Sequence, residues 1–121
     1  MHPSTTRRAA TTCAIAAGLG ASIWLLSPWL TGHSEPWDAD GFYYLGALLV
    51  TGSISGVVAP RPIWAHYAGS FLGQLGYELL FLKIGPLLAV GIGFLLAYCL
   101  LFVAAAFAAA RIRRVCERGI R

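Results

Sequence analysis

The chain has 121 residues, of which 58% are hydrophobic and only 12% charged, with a formal net charge of +4. A soluble domain is about half apolar and about one quarter charged. The surplus apolar surface therefore calls for lipid, and spans of about 20 residues each leave no length for a soluble catalytic domain. Cys13, Cys99 and Cys116 show no CxxC spacing and are odd in number, which argues against a disulfide framework or a zinc site.

A short polar, basic segment ending in Arg7 and Arg8 precedes the first predicted span, residues 9–27. Its length and the absence of a clean small-residue cleavage site favour a retained helix over a signal peptide. Pro28 lacks an amide hydrogen and is expected to kink or end the helix near Ser27. Ala14, Gly18 and Ser22 form a small-residue ridge suited to packing. Trp24 and Trp29 read as interface anchors. The link that follows, residues 32–40, carries His33, Glu35, Asp38 and Asp40. It reads as a solvated acidic loop in which an aspartate caps the next helix. A calcium-loop reading lacks its closing glutamate.

The second span, residues 41–59, opens on Phe42, Tyr43 and Tyr44, an aromatic belt. Its second half is weakly apolar, with Thr51, Ser53 and Ser55, and Gly52 and Gly56 form a GxxxG close-packing signal. This helix is expected to face protein more than lipid. Pro60-Arg61-Pro62 makes a tight turn into the third span, residues 63–82, and a second tight turn at residues 83–86 leads into the fourth, residues 87–110. The basic tail, residues 111–121, continues that last helix. Its Arg111, Arg113, Arg114, Arg118 and Arg121 are expected to meet anionic lipid headgroups.

The third span carries the most information. At about 100° per residue, His66, Tyr67, Ser70, Gln74, Tyr77 and Glu78 share about one third of the helix surface. Ala65, Gly69, Gly73 and Gly76 take the adjoining arc, where another backbone can come close. Trp64, Phe71, Leu72, Leu75, Leu79 and Leu82 occupy the remaining side, toward lipid. His66 and Glu78 lie near the two helix ends, within reach of headgroups or water. Gln74 and Ser70 are deep, and Gln74 is expected to bond Thr51, Ser53, Ser55 or Tyr98 on a neighbouring helix.

Arg7, Arg8, Arg61 and the tail arginines fall on one side of a four-span arrangement. Glu35, Asp38, Asp40 and Lys83 fall on the other. This positive-inside pattern places both termini in the cytoplasm. The expected fold is all-α: a polytopic membrane protein forming a single integral membrane domain, with four transmembrane helices in an up-down bundle. Short links make the second, third and fourth spans neighbours and leave the first freer.

No phosphate-binding GxxxxGKS/T loop, GxSxG elbow or HExxH pair occurs. His66 has no second intramembrane histidine with which to hold a haem. Neither an enzyme nor a metal or cofactor site is expected, and the positive charge is assigned to topology, not nucleic acid. The expected role is a non-catalytic accessory, assembly or scaffold component of a bacterial inner membrane, alone, as a homo-oligomer or in a larger membrane complex. The alternative is a small homo-oligomeric transporter or channel with a polar pathway along the third helix.

Overall fold

The computed structural model of the protein describes residues 3–32, 42–81, 85, 86 and 88–120. Among these residues there are four helices and no strand: α1 (Pro3–Thr31), α2 (Tyr43–Val58), α3 (Ile63–Phe81) and α4 (Leu88–Ile120). The acidic link, its capping and cation-ligand readings, Lys83 with its turn, and Arg121 lie outside the described residues. α2 starts after Phe42, which makes no side-chain cap.

α1 does not stop near Ser27. It runs through Pro28 to Thr31. A proline withholds one amide hydrogen from the turn before it, but the helix continues around that one missing bond. The Thr31 hydroxyl donates to the Ser27 carbonyl at 2.8 Å, the bond back to the residue four before it that threonine makes in helices. The stop comes at Gly32, whose φ of 79° is the left-handed conformation that ends helices. Its amide donates to the Pro28 carbonyl at 3.1 Å.

The helices form a ring in the order α1, α3, α4, α2. Chain-adjacent α2 and α3 therefore stand diagonally, although only a short link joins them, and α1 lies against α3 along its length. This corrects two expectations: a short link did not make α2 and α3 packed neighbours, and the first helix is not loosely placed. Glycine contacts account for the order. On α3, Gly69 lies against the Cys13 carbonyl and Gly73 against the Ala17 carbonyl. On α2, Gly52 lies against the Phe102 carbonyl and Gly56 against the Ala106 carbonyl. Each is a GxxxG pair meeting two residues four apart on a parallel helix. Missing side chains let backbones approach, so close packing is gained where apolar burial drives little association. The two tightest seams, α1 with α3 and α2 with α4, outcompete the contact that chain proximity alone suggests.

Several small residues prove to be bystanders. Ala14, Gly18, Gly93 and Ala97 face outward, and no neighbour stands within 4 Å of the Cβ position at Gly18, Gly76 or Gly93. The α1 seam is built from Cys13, Ala16, Ala17 and Gly20 instead. Ala65 is fully buried, as its place on the small-residue arc requires.

Hydrogen bonds fix the register. The Thr12 hydroxyl donates to the Arg61 carbonyl at 2.6 Å, holding the α2–α3 turn against α1. Arg113 donates to the Val57 carbonyl at 2.6 Å and pairs with Glu117 at 2.9 Å. A guanidinium at the carbonyl end of α2 is favourably placed for both hydrogen bonding and the helix dipole. Arg113 thus serves a helix end, where the sequence suggested a headgroup contact. Together these contacts gather the first turns of α1, the α2–α3 turn and the arginine-rich part of α4 at one end of the bundle.

Large apolar side chains are exposed on all four helices, among them Leu30, Val50, Leu80 and Leu100. α2 shares in this, with Leu49, Val50, Ile54 and Val57 outward, while Tyr44, Leu48, Gly52, Ser55 and Gly56 are buried against the bundle. Two helices are long and apolar enough to cross a membrane: Thr5–Thr31 and Leu88–Gly119.

Candidate functional site

The six polar residues expected to share a face of α3 do so, and the face turns inward. His66, Ser70 and Gln74 are fully buried and Glu78 is 6% exposed. Tyr67 and Tyr77 flank them, half-buried. The Tyr67 hydroxyl donates to the Leu96 carbonyl at 2.7 Å, tying α3 to α4, while the Tyr77 ring rests on Phe81 at 4.9 Å between centroids. Burial of His66 and Glu78 departs from the expectation that both reach headgroups or water. Position near a helix end does not give exposure when the side chain lies on the face turned into the bundle.

Gln74 is the centre of this face. Its carbonyl oxygen accepts from the Trp24 indole at 2.9 Å and from the Tyr44 hydroxyl at 2.5 Å. Its amide nitrogen donates to the Cys99 sulfur at 3.5 Å. One side chain is therefore bonded to each of the other three helices. An amide is suited to this task because it offers two acceptor lone pairs and two donors in one plane. The expected partners were others. The Thr51 and Ser53 hydroxyls turn back to the Ala47 and Leu49 carbonyls of their own helix, the local bonding that such residues favour in helices. Tyr98 stacks on Tyr44 at 4.7 Å between centroids and helps to hold the ring that reaches Gln74.

Trp24 and Tyr44 are the functional residues that sequence reasoning misplaced. Both were assigned to interfacial anchors, yet Trp24 is fully buried and Tyr44 is 5% exposed. A buried indole or phenol seeks an acceptor, and Gln74 is the one strongly polar side chain deep in α3. That complementarity was a usable signal. Trp29 and Phe42 are 84% and 80% exposed.

A second polar crossing spans the same diagonal nearer the turn. Ser55 of α2 and Nδ1 of His66 stand 2.8 Å apart, both fully buried. The His66 Nε2 atom makes no hydrogen bond. A serine beside an imidazole is the start of a nucleophile–base pair. This one is fully buried and joins α2 to α3. Tyr43 adds a further tie, donating to the Ile23 carbonyl at 2.5 Å.

Among the described residues no group of three or more His, Cys, Asp and Glu side chains comes together as a metal site would require. The cysteines are free, Cys99 buried, Cys13 half-buried and Cys116 exposed. Comparisons with protein-family models, with curated proteins and with solved structures found no match.

Proposed function

We propose that the protein is a non-catalytic integral membrane component, an accessory, assembly or scaffold subunit of a bacterial inner membrane, with four spans and cytoplasmic termini. The observation that carries this reading is the closed state of the polar face. Gln74 commits both lone pairs of its oxygen to Trp24 and Tyr44 and an N–H to Cys99, and it is fully buried. Polar groups used this way join helices in a medium where apolar burial does little between them.

Other features support a membrane setting. Apolar side chains cover the outside of every helix, a surface that in water would invite association. α3 has 19 residues and α2 has 16, lengths of about 28 and about 24 Å at about 1.5 Å per residue. The hydrocarbon core is about 30 Å thick, and a bilayer accommodates the shorter helix by local thinning. α4, with 33 residues, is about 50 Å long, so its arginine-rich end emerges on the side of Arg7, Arg8 and Arg61. That distribution supports cytoplasmic termini.

The transporter or channel alternative has one observation in its favour. His66 and Glu78 are ionisable and buried on a single face, and such groups inside a membrane commonly mark a pathway.

The native cysteines separate the two readings. Cys99 touches Gln74, and Cys116 sits exposed on the arginine-rich end. With a membrane-impermeant maleimide, Cys116 should label in inverted vesicles and stay unlabelled in intact spheroplasts. Cys99 should label from neither side until the protein is denatured. Labelling of Cys99 from one side in native vesicles would place water at Gln74 and overturn the closed-bundle reading in favour of transport.

A further inference from the structure

At the arginine-rich end, a cavity of about 360 Å³ opens between the α2–α3 turn and α4. Its lining divides by chemistry. Three arginines, Arg61, Arg111 and Arg114, line it together with the apolar Pro60, Ile63, Phe107 and Ala110. The four α4 residues recur at steps of three and four, so a single helix face presents all of them. The Thr12 bond to the Arg61 carbonyl holds the turn against α1. The Arg111 guanidinium lies 5.7 Å above the Phe107 ring, a cation–π contact that orients its fork.

Among the described residues these three arginines have no acidic partner. Among the described residues the ion pair formed is that of Arg113 with Glu117, and Arg113 does not line the cavity. Three like charges converging on one cavity repel one another and are eased by a bound anion. Guanidinium groups match the oxygens of a phosphate two at a time. A free phosphate has no use for the apolar wall, whereas a phospholipid has: Ile63 and Phe107 are part-exposed and line the cavity beside the arginines.

We infer that Arg61, Arg111 and Arg114 form a discrete site for the headgroup phosphate of one anionic phospholipid, with Ile63 and Phe107 lying along its acyl chain. This rests on the proposed membrane setting. It also goes beyond a diffuse basic tail, since Arg61 belongs to the site, Arg113 is committed to Val57, and Arg118 is not part of the lining.

The test uses the full chain extracted from membranes in non-ionic detergent and presented with equimolar phosphatidylglycerol and phosphatidylethanolamine. Native mass spectrometry counts retained lipids. The wild type should keep one phosphatidylglycerol with about hundredfold preference, the scale set by three headgroup-level arginines at about 1 kcal/mol each. The R61Q/R111Q/R114Q variant should lose that preference, and the charge-matched R7Q/R8Q/R118Q variant should keep it. The single change R114Q, at an exposed site, should reduce it about fivefold with helicity unchanged, which keeps the result readable if the triple variant folds poorly. Equal loss in both triple variants, or no preference in the wild type, would overturn the site while leaving the membrane reading intact. Displacement of the lipid by millimolar inorganic phosphate would also overturn it and identify a free anion as the ligand. Recovery of the protein in the soluble fraction would remove both.

Discussion

Gln74→Met should cost the bundle about 2 kcal/mol, and Gln74→Ala about 3, when unfolding is followed by denaturant titration in detergent micelles. The methionine keeps most of the side-chain volume, so its effect isolates the hydrogen bonds. The Trp24 indole and the Tyr44 hydroxyl both lose their acceptor. Each interhelical bond in a membrane protein contributes about 0.6 to 2 kcal/mol, and a buried donor left unpaired adds to the loss. Alanine adds a cavity at a fully buried position. A double-mutant cycle with Trp24→Phe should give a coupling of about 1 kcal/mol. A Gln74→Met protein as stable as the wild type would show that these bonds do not hold the four helices together.

The stability measurement also bears on function. A pathway residue is tuned to exchange partners with a moving solute, so its removal should harm flux more than folding. A junction residue has the opposite profile. The two bonds at the Gln74 oxygen come from helices on different sides of it: α1 is a ring neighbour of α3, and α2 is its diagonal. Tyr44 reaches across the bundle interior to Gln74, and Ser55 reaches across it to His66. The diagonal that lacks backbone packing is therefore bridged by polar side chains. This gives a physical reason for a polar stripe in so apolar a chain, since it closes a diagonal pair of helices that no glycine seam joins.

The three faces of α3 were legible because helix geometry depends on sequence spacing alone. Trp64, Leu72 and Leu79 are exposed, Gly69 and Gly73 meet α1, and Ser70, Gln74 and Glu78 point inward. The helix boundaries were nearly as accessible, with α3 at Ile63–Phe81 against an expected 63–82. Partner choice was not legible, and the ring order shows why. Contact between α1 and α3 depends on matching Gly69 and Gly73 to Cys13 and Ala17 across more than 50 residues of chain. A small residue is equally small whether it lies in a seam or faces outward, as Gly18 and Gly76 demonstrate. The misreading of Trp24 and Tyr44 has a related cause: an aromatic residue with a polar tip suits a membrane surface and a buried acceptor alike. Only the position of Gln74 decides between them.

The seams make a second strong prediction, with an internal control. A Cβ at Gly73 would fall inside the Ala17 backbone, and one at Gly56 inside the Ala106 backbone. Backbone cannot rotate aside as a flexible side chain can, so the helix pair must separate and lose contact along the whole seam. Gly73→Ala and Gly56→Ala should each cost about 2 kcal/mol, the usual scale of overpacking. Leucine at either position should prevent the native bundle from forming. Gly76→Ala changes the same residue type in the same helix but meets nothing within 4 Å. It should stabilise by about 0.5 kcal/mol, because alanine is the better helix former. A stability order with Gly76→Ala above wild type and Gly73→Ala well below it would tie the cost to the α1–α3 seam and not to glycine as such. If all three variants unfold alike, the close approach of α3 to α1 is not what sets the ring order. The diagonal placement of α2 and α3 would then need another cause, with the Ser55–His66 and Tyr44–Gln74 crossings as the remaining candidates.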